Sequence, residues 1–400
     1  MASIKIILFN LIEKFMMQSK HVLIIPRGHI MTQVMPLAGI FEFHQAKALK
    51  DSGFNVGMIS IGSIPLRKDF LCYPFNNFEV INGIFLFRNY KRFLIPHRLS
   101  NFSRLKKRHF DLFFDQFKIY VDTYGIPDII HAHNFLFSGL VAMEISKLYN
   151  IPYVITEHSS SFALGQISKK MKTEIKFCSN KAKKVLAVSS SFAKLLNNKF
   201  GLSTLVLPNI IDDEFTINDF STKKSNVNFV FLNVAALDSN KNHELLIRSF
   251  AITFKGTGAI LKIAGIGPLR NKLEILCKDL GVADQVLFLG LLTRDKVKDE
   301  MFHANCFVLS SNYETFGVVL IEALSCGIPV ISTDCGGPID IVSNNNGLLV
   351  DIGNIEQLSL AMNFMYNNKS MYNHILIRDE ILKKFGVEMF VEKITKIYNS

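Results

Sequence analysis

Two series of short apolar runs, separated by stretches of helical spacing, constrain this chain more than any other feature. In the first half the runs are HVLIIP (21–26), NVGMISI (55–61), IIHAH (129–133), YVITEH (153–158), VLAVSS (185–190) and TLVLPN (204–209). FEFHQAKALKDSG (41–53) and GLVAMEISKLYN (139–150) lie between them with helical periodicity. Gly53 suits the position just past a helix end, where a left-handed backbone is cheap only for glycine. A second series follows: NFVFLNVAAL (228–237), ILKIAG (260–265), VLFLG (286–290), CFVLSS (306–311), PVIST (329–333), PIDIVSN (338–344) and NGLLV (346–350). Its helical partners are HELLIRSFAITF (243–254), PLRNKLEILCKDLG (268–281) and DKVKDEMFHA (295–304). Strand alternating with helix predicts parallel sheets covered on both faces.

A chain of 400 residues exceeds one ordinary core. The break between the series, IDDEFTINDFSTKKSNV (211–227), is polar and without period, which predicts a linker. The expected organisation is an extension over 1–20, an N-terminal domain over 21–210, the linker, a C-terminal domain over 228–380, and a terminal helix over 381–400 packing back on the first domain. Each domain is expected to be a doubly wound sheet, with a ligand in the crevice between them, outside the carboxyl ends of the strands.

No apolar run reaches the 18 or so residues that a spanning helix needs, so none is predicted. The opening MASIKIILFNLIEKFMMQSK has no small-residue cleavage site after its apolar patch and reads as an amphipathic extension. Translation could even begin at Met16 or Met17, because HVLII at 21–25 already reads as a first core strand. The six cysteines, Cys72, Cys178, Cys277, Cys306, Cys326 and Cys335, form no C-x-x-C pair and are expected to be free thiols in a reducing compartment.

Charge is divided unevenly. Residues 1–210 hold 27 Lys and Arg against 12 Asp and Glu, whereas residues 211–400 hold 18 against 22. Two runs dominate, FRNYKRFLIPHRLSNFSRLKKRHF (87–110) and KKMKTEIKFCSNKAKK (169–184). They point to anionic partners, either a membrane surface or a phosphate-bearing substrate, with nucleic acid as a third class and a solvated helix face as the plain alternative.

Three strand-to-helix turns have the geometry that presents backbone amides to an anion. They are GIGPLR (265–270) with Gly265 and Gly267, Thr315–Phe316–Gly317, and DCGGP (334–338). Lys241 precedes another helix and could neutralise a diphosphate; the alternative is a surface lysine near a cap. Glu314 and Glu322 lie in the mostly apolar NYETFGVVLIEALSCG (312–327). On one continuous helix their spacing would leave them about 12 Å apart along the axis and about 80° apart in azimuth. Two carboxylates acting on one bond need about 5–9 Å. Gly317 also argues that Glu314 stands in the turn and Glu322 on the helix, so the two acids would meet different parts of one extended ligand. For Glu322 the alternative is a buried acid satisfied by backbone amides. In the first half, His131 and His133 share one strand face, and Glu157 and His158 end the next strand. A metal pair lacks a third ligand nearby in sequence, and structural histidines are the alternative. Gly39 would let a ligand approach the backbone closely.

Taken in order, PLAGIFEFHQAKAL, DIIHAHN, ITEHSS, LPNIID, LNVAALDSNKNHELLIRSF, IAGIGPLR and NYETFGVVLIEALSCGIPVISTDCGGPIDIV resemble the family 4 glycosyltransferases over roughly residues 21–365. The E-x7-E segment with its trailing GIPVI is the most specific part. The resemblance implies a GT-B fold, two Rossmann-like domains facing a central cleft. It also implies a retaining transfer of a hexosyl unit from a nucleoside diphosphate sugar to an acceptor hydroxyl. Domain closure would then exclude water. In its terms Glu314 binds the donor sugar, Glu322 the ribose and Lys241 the diphosphate, helped by amides near Phe316, Gly317 and Val318. Gly39 lies by the diphosphate or acceptor, and His133 contacts the sugar near the reacting centre, so His133 and Glu314 are the catalytic candidates.

One position departs from the pattern. The family usually carries Arg five residues before the lysine, and Ala236 stands there, with Arg270 as a candidate substitute. No metal or cofactor is expected. The expected partners are the nucleotide sugar, a glycan or lipid-linked acceptor and an anionic membrane surface, not nucleic acid. The expected location is cytoplasmic, peripheral at the membrane face. The rivals are a GT-B-shaped nucleotide-sugar epimerase and a non-catalytic nucleotide-sugar-binding partner in a glycan assembly complex.

Overall fold

In the computed structural model, which describes residues 20–30, 38–64, 76–92, 102–216, 219–221 and 227–400, the two series of runs form two separate sheets. The expectations for residues 1–19, for Cys72, for residues 93–101 of the first basic run and for parts of 211–227 lie outside the described residues. One unit comprises the chain up to Val188 with Ala193–Leu207 and Val391–Ser400; the other comprises Ser189–Phe192 and Pro208–Phe390.

The first unit holds β1 (His21–Ile25), α1 (Ile40–Asp51), β2 (Asn55–Ile64), β3 (Asn76–Ile81), β4 (Ile84–Arg92), α2 (Phe102–Tyr124), β5 (Ile129–His133), α3 (Leu140–Tyr149), β6 (Tyr153–Glu157), α4 (Lys169–Lys181), β7 (Lys184–Ala187), most of α5 (Ser190–Phe200) and β8 (Leu205–Val206). Its strand order is β3-β4-β2-β1-β5-β6-β7-β8, parallel except for β3. Every residue of β1, β5 and β6 is buried, as expected of strands covered on both faces. The β3–β4 hairpin turns at Asn82 and Gly83, both with positive φ, the backbone that an Asn-Gly turn supplies. TLVLPN shrinks to a two-residue strand.

The second unit holds β9 (Val230–Val234), α6 (His243–Phe254), β10 (Ile260–Ala264), α7 (Arg270–Leu280), β11 (Val286–Gly290), α8 (Arg294–His303), β12 (Cys306–Leu309), α9 (Val318–Ser325), β13 (Val330–Thr333), β14 (Gly347–Val350), α10 (Ile355–Asn367) and α11 (His374–Phe385). The order β11-β10-β9-β12-β13-β14 is wholly parallel and reverses direction between β9 and β12. A doubly wound sheet binds its ligand at such a reversal, outside the carboxyl ends of the strands. PIDIVSN is not a strand: Gly337–Asp340 form a 3-10 turn, and Pro338 has no N–H to offer a ladder. Part of the expected linker is packed instead of free. Ile211 and Phe215 are buried, and the Ile211 amide donates to the Phe385 carbonyl. A last helix, α12 (Val387–Asn399), contributes its residues from Val391 to the first unit, where the Tyr398 hydroxyl meets His131 Nδ1 at 2.7 Å. Among the described residues no helix is long and apolar enough to cross a membrane, and Cys178, Cys277, Cys306, Cys326 and Cys335 are buried free thiols.

Candidate functional site

In the second unit the loops after β9 and β12 meet at the point of reversal. After β9 the chain is turned by Asp238, whose Oδ1 accepts from the amides of Asn240 (2.9 Å) and Lys241 (3.1 Å). Asn242 then caps α6, its side chain accepting from the Leu245 amide at 3.3 Å. These bonds fix Lys241 at the mouth of the turn, and Ser310 Oγ, after β12, donates to its carbonyl at 2.9 Å. Glu314 is clamped by its own backbone, which accepts from the Gly337 amide and donates to the Cys335 carbonyl, both at 2.9 Å. Its Oε1 accepts from Lys241 Nζ at 2.5 Å and from Ser311 Oγ at 2.7 Å. Among the described residues Oε2 of Glu314 has no partner.

Gly317 turns the chain into α9 with φ of 100°, a left-handed value that suits glycine. The N–H groups of Phe316, Gly317 and Val318 have no hydrogen-bond partner among the described residues. The Phe316 side chain is core, packed edge-on to Phe385, so only its backbone can serve a ligand. Gly337 presses against that turn: a Cβ there would lie 2.3 Å from Phe316 Cα.

Glu322 stands on α9, apart from Glu314 as the spacing predicts, and is buried. Its partner is not a backbone amide but Arg294, whose Nη2 lies 3.2 Å from Glu322 Oε1 and 2.8 Å from Asp212 Oδ2. Burial pushes the Glu322 carboxyl up to about 7; Arg294 opposes that rise and Asp212 adds to it. Sequence reasoning missed both Arg294 and Asp212, which lie 28 and 110 residues away from Glu322 and carry no motif.

The glycines of GIGPLR answer to packing. A Cβ on Gly265 would lie 1.9 Å from the Ala235 carbonyl oxygen, and one on Gly267 would lie 2.4 Å from that of Leu237. Arg270 donates to Glu274 at 2.5 Å and sits 4.4 Å above the Phe288 ring; neither partner belongs to the predicted site. Ala236 is exposed in the turn after β9.

In the first unit the strand order reverses between β1 and β5, and His133 ends β5. Its ring lies between those of His131 (4.6 Å) and His158 (5.2 Å), with Nδ1 2.9 Å from His158 Nε2. His131 spends both nitrogens on structure, at 2.7 Å from the Tyr398 hydroxyl and 2.8 Å from Thr156 Oγ1. Among the described residues His133 Nε2 is buried without a partner, so the two histidines part company here. Burial lowers His133 to about 3 and takes His131 and His158 well below the usual imidazole range. Glu157 is a brace for its own loop: it accepts from the amides of Phe135, His158 and Ser159 at 2.7–2.9 Å, and burial still raises it to about 7. Gly39 has φ of 66°, and a Cβ there would lie 2.9 Å from the His29 carbonyl oxygen. Close by, Arg27 Nε lies 3.1 Å from the buried carboxylate of Glu42. A pocket of about 200 Å³ opens beside Arg27, lined also by Gly62, His109, Phe137 and Ser138. Phe137 has φ of 68° and ψ of −67°, a costly backbone for a bulky residue, and its ring stacks on His109 at 4.2 Å. The described residues contain no cluster able to hold a metal ion.

Residues 43–215 match the family model described as Glycosyltransferase Family 4, and residues 214–378 match that described as Glycosyl transferases group 1. An uncharacterized glycosyltransferase of Methanocaldococcus jannaschii is 25% identical over 380 residues, 88% of this chain and 91% of that protein. Among solved structures, sucrose-phosphate synthase from Thermosynechococcus elongatus aligns with a TM-score of 0.76 at 21% identity, covering 95% of this chain and 98% of that one. Anabaena HepE, solved in complex with UDP, aligns with a TM-score of 0.67 at 16% identity, covering 94% and 98%.

Proposed function

Since this chain belongs to glycosyltransferase family 4 and has the GT-B fold, we propose that it moves a hexosyl unit from a nucleoside diphosphate sugar to an acceptor hydroxyl, with retention at the anomeric carbon. The observation that carries the reading is the grouping, in one unit, of Lys241, Glu314 and the unpaired amides of Phe316–Val318 at the sheet's point of reversal. Such a grouping is made for a diphosphate flanked by a hydroxyl-rich group. Lys241 and the amides take the charge that develops on the departing diphosphate, where fixed donors act most strongly. Oε2 of Glu314 accepts from hydroxyls of the sugar. Glu322, held by Arg294, receives the ribose at the other end. In the first unit His133 Nε2 is offered to the sugar as a neutral imidazole. The pocket beside Arg27 and Phe137 is the acceptor candidate, supported by the costly Phe137 backbone.

The nucleotide is proposed to be UDP, a reading supported by the UDP bound to the similar Anabaena protein. The acceptor is proposed to be a growing glycan or lipid-linked sugar of polysaccharide, lipopolysaccharide or glycolipid assembly, at the cytoplasmic face. A thermal-shift screen against UDP-, GDP- and ADP-sugars tests the donor. Stabilisation by one nucleotide series supports the reading, and none with any nucleotide overturns it. Ala236 favours one second reading, a nucleotide-sugar-binding partner without turnover, because one of two cations expected at the diphosphate is absent. Release of free nucleoside diphosphate on addition of acceptor extracts separates the two.

A further inference from the structure

The two basic runs, remote in sequence, form one surface of the first unit. Lys106 on α2 reaches Glu174 on α4 at 2.7 Å, and Lys170 on α4 reaches Ser103 on α2 at 2.6 Å. Helix α4 buries Ile175 and Cys178 and turns the opposite side outward. That side exposes Lys169, Lys170, Lys176 and Lys181, while Arg104 and Lys107 are exposed on the adjoining first turns of α2. A merely solvated helix face mixes signs so that acids at i±4 offset the cations. Here the only acid between residues 169 and 184 is Glu174, which is committed to Lys106. The face also holds Phe177, 56% exposed, next to Lys176 and one turn before Lys181. The Phe177 ring thus stands among ammonium groups, none of which, at Lys169, Lys170, Lys176 and Lys181, has an acid partner among the described residues, so charge and apolar surface are combined on one face. A surface that is anionic outside and apolar beneath matches both.

We propose that this surface docks the chain on an anionic lipid bilayer, the lysines of α4 and the first turns of α2 lying on the headgroups and the Phe177 ring entering the acyl boundary. The docking is independent of the donor site, which lies in the other unit, and goes beyond the transfer reaction. It would keep a lipid-linked acceptor within reach of the first unit.

The test uses the full chain and sedimentation with vesicles of phosphatidylcholine alone or with about 30% phosphatidylglycerol. Binding is expected only with the anionic vesicles and is expected to fall by more than about tenfold between about 50 and 500 mM salt. Lys169→Glu/Lys170→Glu/Lys176→Glu/Lys181→Glu is expected to abolish it while leaving the nucleotide-sugar thermal shift unchanged, and a Lys→Gln set serves if the reversal fails to fold. The chain contains no tryptophan, so Phe177→Trp supplies a single reporter. Its emission is expected to shift to the blue with anionic vesicles and not with zwitterionic ones. Equal binding by the charge-reversed chain, no blue shift of F177W, or capture by RNA that anionic vesicles cannot displace would each overturn the proposal. Loss of the nucleotide thermal shift in the unaltered chain would count against the donor reading and leave this one standing.

Discussion

Lys241 Nζ lies 2.5 Å from Glu314 Oε1, with Ser311 Oγ on the same oxygen at 2.7 Å. The cation proposed for the diphosphate is thus held by the acid proposed for the sugar, so each keeps the other in place before a donor arrives. Both side chains are partly exposed, and a pair in that setting contributes no more than about 1 kcal/mol to stability. Lys241→Met and Glu314→Gln are therefore expected to leave the unfolding midpoint almost unchanged. Each is expected to lower kcat/KM by about 10²–10³, the range for removing one donor to a developing charge. Because the two act on one bound molecule, the double variant is expected to lose less than the product of the single losses. Turnover of Glu314→Gln at the unaltered rate would remove Glu314 from the site.

Arg294 has a different balance, since it is shared by Asp212 and Glu322 and its partners are almost wholly buried. Removing one member of such a cluster leaves uncompensated charge, at a cost of about 3–5 kcal/mol. The cost must depend on pH. The Glu322 carboxyl sits at about 7 in the folded chain against an ordinary 4.5, so the folded state binds more protons between those values and stability falls as pH rises through that window. Without Arg294 the acid holds its proton more firmly still. Arg294→Met is thus expected to be strongly destabilised at pH 8 and much less so at pH 5, as measured by urea unfolding. A penalty equal at both would show that Glu322 is not the group left unpaired.

Much of this arrangement is legible in the sequence, for physical reasons that can be named. The strands around both candidate sites are almost wholly buried, so they appear as mainly apolar runs, and Gly317 marks where Glu314 leaves the helix of Glu322. The identity of a partner across the fold leaves no such trace: Arg294 reads as an ordinary first-turn residue, and strand alternation alone treats His131 and His133 alike, although Tyr398 binds only the former. The β3–β4 hairpin was within reach, since Asn82–Gly83 between two apolar runs is a turn signal. The glycines of GIGPLR carry a second requirement that the sequence does not show: two backbone segments touch there, which leaves no room for a Cβ.

The stacked imidazoles of His131, His133 and His158 predict an acid weakness in the first unit. Burial keeps all three neutral, with His133 lowered from 6.5 to about 3. Between those values the unfolded chain binds the proton and the folded chain does not, so stability is complete above 6.5 and declines as pH falls. One such histidine accounts for about 2 kcal/mol between pH 6.5 and 5. His133→Gln is expected to reduce the loss of stability between pH 7 and 5 by about that amount, read by urea unfolding at the two pH values. An unchanged slope would mean that His133 takes up its proton freely in the folded chain.

Gly265 and Gly256 offer a controlled comparison, because both have positive φ, 143° and 75°, but only one is crowded. At Gly256 an added Cβ meets nothing within 4 Å, so Gly256→Ala should cost only the strain of a left-handed backbone, about 1 kcal/mol. At Gly265 the Cβ would lie 1.9 Å from the Ala235 carbonyl oxygen, a backbone atom that cannot rotate aside. Something larger must move, and what lies next in the chain is the turn in which Asp238 sets Lys241. Gly265→Ala is accordingly expected to cost about 3 kcal/mol or more, with the excess arising from displaced backbone. It is also expected to weaken the nucleotide thermal shift in whatever fraction still folds, although Gly265 itself touches no proposed ligand. Gly256→Ala should keep that shift intact. If the two variants prove equally stable and bind nucleotide equally well, the close approach of residues 235–237 to the GIGPLR turn does not govern the position of Lys241.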